Sequence, residues 1–108
     1  MMLIKKNEGT YIPYNLTATV LAFDGNTLAL DLSHCERDYP VSLDISGDAS
    51  GALVVGPSRR YIAQIDIPAR AYTIEAGPID DFGFPKLKKL AVPIDTDKVT
   101  LTLWALEV

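Results

Sequence analysis

Short runs of alternating apolar and polar residues, each cut off by turn residues, recur along the whole chain. Leu16–Phe23 places Leu16, Ala18, Val20 and Ala22 on one face and Thr17, Thr19, Leu21 and Phe23 on the other, the period of a strand. Thr27–Leu32 alternates again, with Leu28, Leu30 and Leu32 opposed to Thr27, Ala29 and Asp31. The intervening Asp24-Gly25-Asn26 predicts a hairpin, because Gly and Asn accept positive φ. Val41–Ile45, Ala52–Val55, Arg60–Ile67, Ala71–Glu75, Leu87–Val92 and Val99–Val108 continue the series. In Arg60–Ile67 the apolar face holds Tyr61, Ala63, Ile65 and Ile67, and in Ala71–Glu75 Tyr72 and Ile74 are expected to point inward. One helical turn fits Ser33–Tyr39, where Ser33 and Glu36 have capping-box spacing and Pro40 ends the turn.

Seven Gly and seven Pro separate these runs, so the spacing predicts a single all-β domain over residues 1–108 with about seven to nine short strands. The expected architecture is an antiparallel two-sheet β-sandwich with immunoglobulin-like, Greek-key connections; a small closed β-barrel is the alternative. Gly77–Pro85 reads as the longest loop. The final run carries apolar residues on both faces: Val99, Leu101, Leu103 and Ala105 on one, Trp104, Leu106 and Val108 completing the other. A strand covered on one side only does not carry Trp and Leu toward water. Either Leu21, Phe23, Trp104, Leu106 and Val108 form an outward patch for self-association, or an N-terminal segment or third layer covers them.

Charge narrows the function classes. A net charge of −4 opposes nucleic-acid binding, which needs a surplus of Lys and Arg to neutralise phosphates. A lone Cys35 makes no intrachain disulfide and implies no oxidising compartment. The first residues form no signal-peptide pattern, and no run reaches the length of a membrane span. The expected setting is therefore cytoplasmic, with no membrane partner.

Catalytic chemistry lacks parts. His34 lies between Ser33 and Cys35, and neighbours in sequence point apart, so neither is a natural partner for a nucleophile–base pair. One His and one Cys do not supply a zinc ligand set, and no Gly-rich phosphate loop is present. The expectation is a non-enzyme without cofactor or metal. Asp80-Asp81 and Asp95-Thr96-Asp97 offer oxygen ligands of the type calcium takes, but Asp is also the ordinary capping residue of β-turns.

The best binding candidates are Asp80, Asp81, Phe82 and Phe84, because aromatics in a polar connector anchor interfaces. The competing reading folds both rings back onto the end of the domain. In size and pattern the chain resembles small immunoglobulin-like β-sandwiches, including accessory modules of phage and prophage virions, though without the Cys…Trp…Cys framework of antibody-type domains. The resemblance implies a virion-associated setting as the alternative to a cytoplasmic one, but likeness of this kind does not carry function. The expected role is a structural module working through protein contacts, as a subunit of an oligomer or larger assembly. The alternative is a ligand- or carbohydrate-binding module using residues 77–85.

Overall fold

A computed structural model describes residues 1–106 of the chain. Among these residues ten strands form sheets of five, three and two strands, and none of the sheets closes into a barrel. The five-stranded sheet contains β1 (Met2–Lys5), β5 (Val41–Gly47), β6 (Leu53–Val55), β7 (Arg60–Ile67) and β10 (Thr100–Leu103), in the order β1-β10-β7-β5-β6. It is mixed rather than purely antiparallel, because β1 runs parallel to β10. β2 (Tyr14–Thr17), β3 (Val20–Phe23) and β4 (Leu28–Asp31) form the three-stranded sheet.

One buried cluster joins the two sheets: Leu21 and Phe23 from β3 meet Ile45, Ala63, Ile65, Ile67, Leu101 and Leu103 from the larger sheet. The expected outward patch is thereby corrected. Leu21 and Phe23 are both 0% exposed and face the core, with Leu16, opposite Leu21, packed against it, while Thr17 and Val20 oppose each other on the exposed side. The cause is a turn that the sequence does not announce. Leu16–Phe23 is two strands rather than one, folded back at Ala18-Thr19 with Thr17 opposite Val20. Ala18 takes φ +52°, a conformation that costs a non-Gly residue about 1–2 kcal/mol. Thr19 ties the turn down, its hydroxyl donating to Asp31 Oδ1 at 2.8 Å and its carbonyl accepting from Leu32 N at 2.8 Å.

The hairpin at Asp24–Thr27 forms as expected, with Phe23 opposite Leu28 and Asp24 and Gly25 at positive φ. The helical turn α1 (Leu32–Cys35) is capped by Asp31 instead of Ser33. Asp31 Oδ1 accepts from Ser33 N at 3.1 Å and Ser33 Oγ at 2.6 Å, and the Ser33 hydroxyl, with Thr19, holds this carboxyl below its ordinary range. β7 matches the expected span, but a bulge opposite Ile45–Ser46 leaves Ile62 unpaired. Past that point the faces exchange: Ile62 is buried and Tyr61 is half exposed, its ring 5.9 Å from that of Trp104.

The last strand is shorter than Val99–Val108, since β10 ends at Leu103. Trp104, Ala105 and Leu106 are half-buried, and residues 7–10 run beside them: Ala105 N donates to Asn7 Oδ1 at 2.7 Å and Leu106 N to Thr10 O at 2.7 Å. An N-terminal segment of the same chain therefore covers part of this surface. Val108 lies outside the described residues.

The remaining two strands leave this body altogether. β8 (Tyr72–Ile79) pairs only with β9 (Pro85–Ala91), and neither packs extensively on another strand. The molecule measures 69 × 22 × 22 Å with a radius of gyration of 18.7 Å, against about 13 Å for a compact chain near this length. The hairpin is thus a projecting arm, and Ile74, expected to point inward, is 71% exposed on it.

This division predicts opposite outcomes for two phenylalanines. Phe23→Ala lowers the unfolding free energy by about 3–5 kcal/mol, whereas Phe82→Ala leaves it within about 0.5 kcal/mol of wild type. Urea denaturation followed by circular dichroism distinguishes them.

Candidate functional site

The arm contains the strongest concentration of uncovered apolar surface in the described residues. Antiparallel pairing sets its two faces, because directly opposed residues point the same way. Tyr72 opposes Ala91, Ile74 opposes Lys89, and Ala76 opposes Leu87, making one face largely apolar. Thr73 with Leu90 and Glu75 with Lys88 make the other face polar. Lys89 does not interrupt the apolar face with a free charge, because its ammonium lies over the Tyr72 ring, 4.0 Å from the centroid, a cation–π contact.

A bulge then extends the apolar face toward the tip. The ladder slips between Ala76 and Ile79, so that Ile79 rather than Pro78 opposes Pro85. The extra residue shifts the alternation by one, and Ile79 joins Ile74, Ala76 and Leu87. Pro78, which has no N–H to donate, sits where the ladder is already broken. Gly77 is required here, since a Cβ would lie 2.9 Å from the Lys86 carbonyl oxygen.

What reads as a long loop from Gly77 to Pro85 is therefore strand at both ends, Gly77–Ile79 and Pro85, with residues 80–84 turning. Asp80 organises that turn: its Oδ1 accepts from Phe82 N at 2.9 Å and Phe84 N at 3.0 Å. Its backbone pairs with Phe84 O at 2.7 Å and Gly83 N at 3.1 Å, and Gly83 takes φ +83°. Phe82 is 85% exposed and Phe84 67%. Neither ring folds back onto the body, so the turn presents two aromatics and Asp81 to solvent on a backbone held by hydrogen bonds.

The root of the arm is clamped to the body. Arg70 precedes β8, and its guanidinium meets Glu36 Oε1 at 3.4 Å, the Glu36 carbonyl at 2.9 Å and Asp38 Oδ1 at 3.7 Å. Arg70 N donates to Arg37 O at 2.7 Å, and the Tyr72 hydroxyl donates to Asp38. Glu36 is buried, so it anchors this fork instead of completing a capping box with Ser33. Val92 N donates to Ala71 O at 2.9 Å and closes the base of the hairpin.

The sites considered for catalysis are not assembled. His34 is exposed, with Nε2 3.7 Å from Asp31 Oδ2. Burial pushes the half-buried Cys35 thiol up from its ordinary pKa, the reverse of what a nucleophilic thiolate needs. Asp48, Asp80 and Asp95 each accept backbone N–H groups of their own turns, which is the turn-capping role. Among the described residues no cluster of three or more His, Cys, Asp or Glu is placed to hold a metal ion, and no helix is long and apolar enough to cross a membrane.

A second feature lies on the body. An open groove of about 870 Å³ is bordered by Leu53, Arg59, Tyr61, Ile62, Trp104 and Leu106. Trp104 and Leu106, expected at an interface, thus line a concavity, while Leu21 and Phe23 are in the core. Ile74 was expected to face inward, and Ile79 and Leu87 were not singled out from the sequence. Their signal was alternation on both sides of a short Asp/Gly turn, masked by the extra residue at Gly77-Pro78. Comparison with protein-family models, curated proteins and solved structures returns no match.

Removing the clamp should free the arm. Arg70→Ala leaves Glu36 buried without its fork, and limited trypsin digestion is expected to cut at Lys86, Lys88 and Lys89 several-fold faster than in wild type. Arg70→Lys retains the charge but not the planar fork and is expected to restore only part of the protection.

Proposed function

We propose that this chain is a non-enzymatic assembly subunit that makes its principal protein contacts through the Tyr72–Ala91 arm. The observation that carries the proposal is the arm's uncovered apolar surface, the Tyr72–Ile79 face together with the exposed Phe82 and Phe84 rings of the tip. An isolated two-stranded hairpin is marginal in water, and burying such side chains contributes about 25 cal/mol per Å². A surface of this kind gains most by seating against another protein. Charges on the reverse face keep the free arm soluble, with Glu75 opposite Lys88.

The cluster shared by the five- and three-stranded sheets supports reading the body as a two-sheet sandwich. Ligand or carbohydrate binding at residues 77–85 has less behind it: the tip is the convex end of an arm, and small-molecule sites are concave.

The test is the mass of the purified chain by light scattering across a concentration series. Wild type is expected to form oligomers. Phe82→Ser with Phe84→Ser is expected to be a monomer with an unchanged melting temperature, since neither ring packs on the body. A double variant that assembles like wild type would overturn the proposal.

A further inference from the structure

The arm and the groove occupy opposite ends of the same pair of strands. β7 hands the chain to the arm after Ile67, and the chain returns to begin β10 at Thr100, directly opposite Asp66. The groove forms at the other end, where Arg59–Ile62 starts β7 and Trp104–Leu106 follows β10. β7 alone spans roughly 25 Å at about 3.3 Å per residue, and the arm extends the long axis further. A chain built this way does not reach its own groove with its own tip.

The two surfaces match in chemistry. The tip offers Phe82, Phe84 and the Asp81 carboxylate; the groove offers the Tyr61–Trp104 ring pair, Leu53, Ile62 and Leu106, with Arg59 on its wall. Behind the tip, β9 carries Lys86, and the groove's lining sets Asp24 and Asp48 alongside Arg59 and Arg60. Residues 72–91 hold three Lys and three acids, so the whole net charge of −4 falls on the rest of the chain. An acidic aromatic tip entering the groove thus pairs the Asp81 carboxylate with Arg59, which favours encounter and fixes orientation.

We propose that the groove of one copy receives the hairpin tip of a second copy, so that chains add head to tail. The inference rests on the assembly reading above and names its partner. The contact is heterologous, with different surfaces on the two sides. Such contacts generate closed rings where the rotation between subunits closes, and open filaments where it does not. Each open oligomer keeps one arm and one groove unfilled until the ring closes.

Complementation between two assembly-dead variants tests this. Phe82→Ser/Phe84→Ser blunts the arm and leaves the groove; Trp104→Ala empties the groove and leaves the arm. Each alone is expected to be monomeric by light scattering. Their equimolar mixture is expected to give a species of twice the monomer mass that grows no further, because it joins the one intact arm to the one intact groove. As Trp104→Ala also removes packing against Tyr61, exposed charges give an independent arm. Arg59→Glu is expected to weaken assembly at least tenfold, and Asp81→Arg in the same chain to restore it.

If Trp104→Ala and Arg59→Glu assemble like wild type while the blunted arm does not, the arm reading stands and the groove is not its seat. A mixture that stays monomeric overturns the head-to-tail pairing in the same way. If the blunted arm assembles normally, both the pairing and the reading beneath it fail.

Discussion

The antiparallel pairing of β7 with β5 on one side and β10 on the other governs the molecule. Ala63, Ile65 and Ile67 of β7 lie between Ile45 and the β10 residues Leu101 and Leu103, and the three strands together supply most of the core. Because β7 and β10 are neighbours running in opposite directions, the segment joining them leaves and re-enters at one end of the sheet. That places the root of the arm. The opposite end, where β7 begins and β10 stops, opens around Tyr61 and Trp104. One pairing therefore sets the core, the arm and the groove at once.

The arm stands outside the energetics of that core. Its ladder pairs the two strands only with each other, no layer covers either face, and Ile74, Ile79, Leu87, Phe82 and Phe84 all remain exposed. Its orientation depends on the root, where the Arg70 fork on Glu36 and the Tyr72–Asp38 bond fasten it beside α1. The clamp neutralises a buried carboxylate and uses charge-assisted bonds, which are stronger than neutral ones. A stiff root and a hydrogen-bonded tip leave little entropy to lose when the arm docks, so more of the burial appears as affinity.

Much of the fold was legible where local chemistry and tertiary packing agreed. Asp24-Gly25-Asn26 forms its hairpin because those residues accept the positive φ the turn needs, and Arg60–Ile67 is a strand because its alternation matches a half-buried sheet. Reading failed where a single backbone irregularity overrode the side-chain pattern. The Ala18-Thr19 turn contains no turn residue and is held by Thr19 and Asp31 from outside the strand. It split one expected strand and hid the fact that Leu21 and Phe23 face the core. The bulge at Ile62 exchanged Tyr61 for Ile62, and the bulge at Gly77-Pro78 disguised a strand as a loop. Asp80, Phe82 and Phe84 were identifiable as a candidate surface because aromatics in a polar turn are unusual. Their position at the end of an arm was not, because projection depends on which strands lack a neighbour, and alternation carries no information about neighbours.

The same irregularities decide how the arm can be used. Both its strands are edges, and an exposed edge invites indiscriminate strand pairing. Here Pro78 and Pro85 remove two backbone donors near the tip, the bulge twists the ladder beside them, and Lys86, Lys88 and Lys89 crowd β9 with like charge. Each of these discourages another strand from adding at the side. None of them covers the apolar face or the aromatic tip. The arm is thus protected along its backbone and adhesive through its side chains, which favours insertion into a shaped, chemically matched concavity over extension of a sheet. In the proposed assembly, that asymmetry would let a hairpin with so much exposed apolar surface remain selective in what it joins.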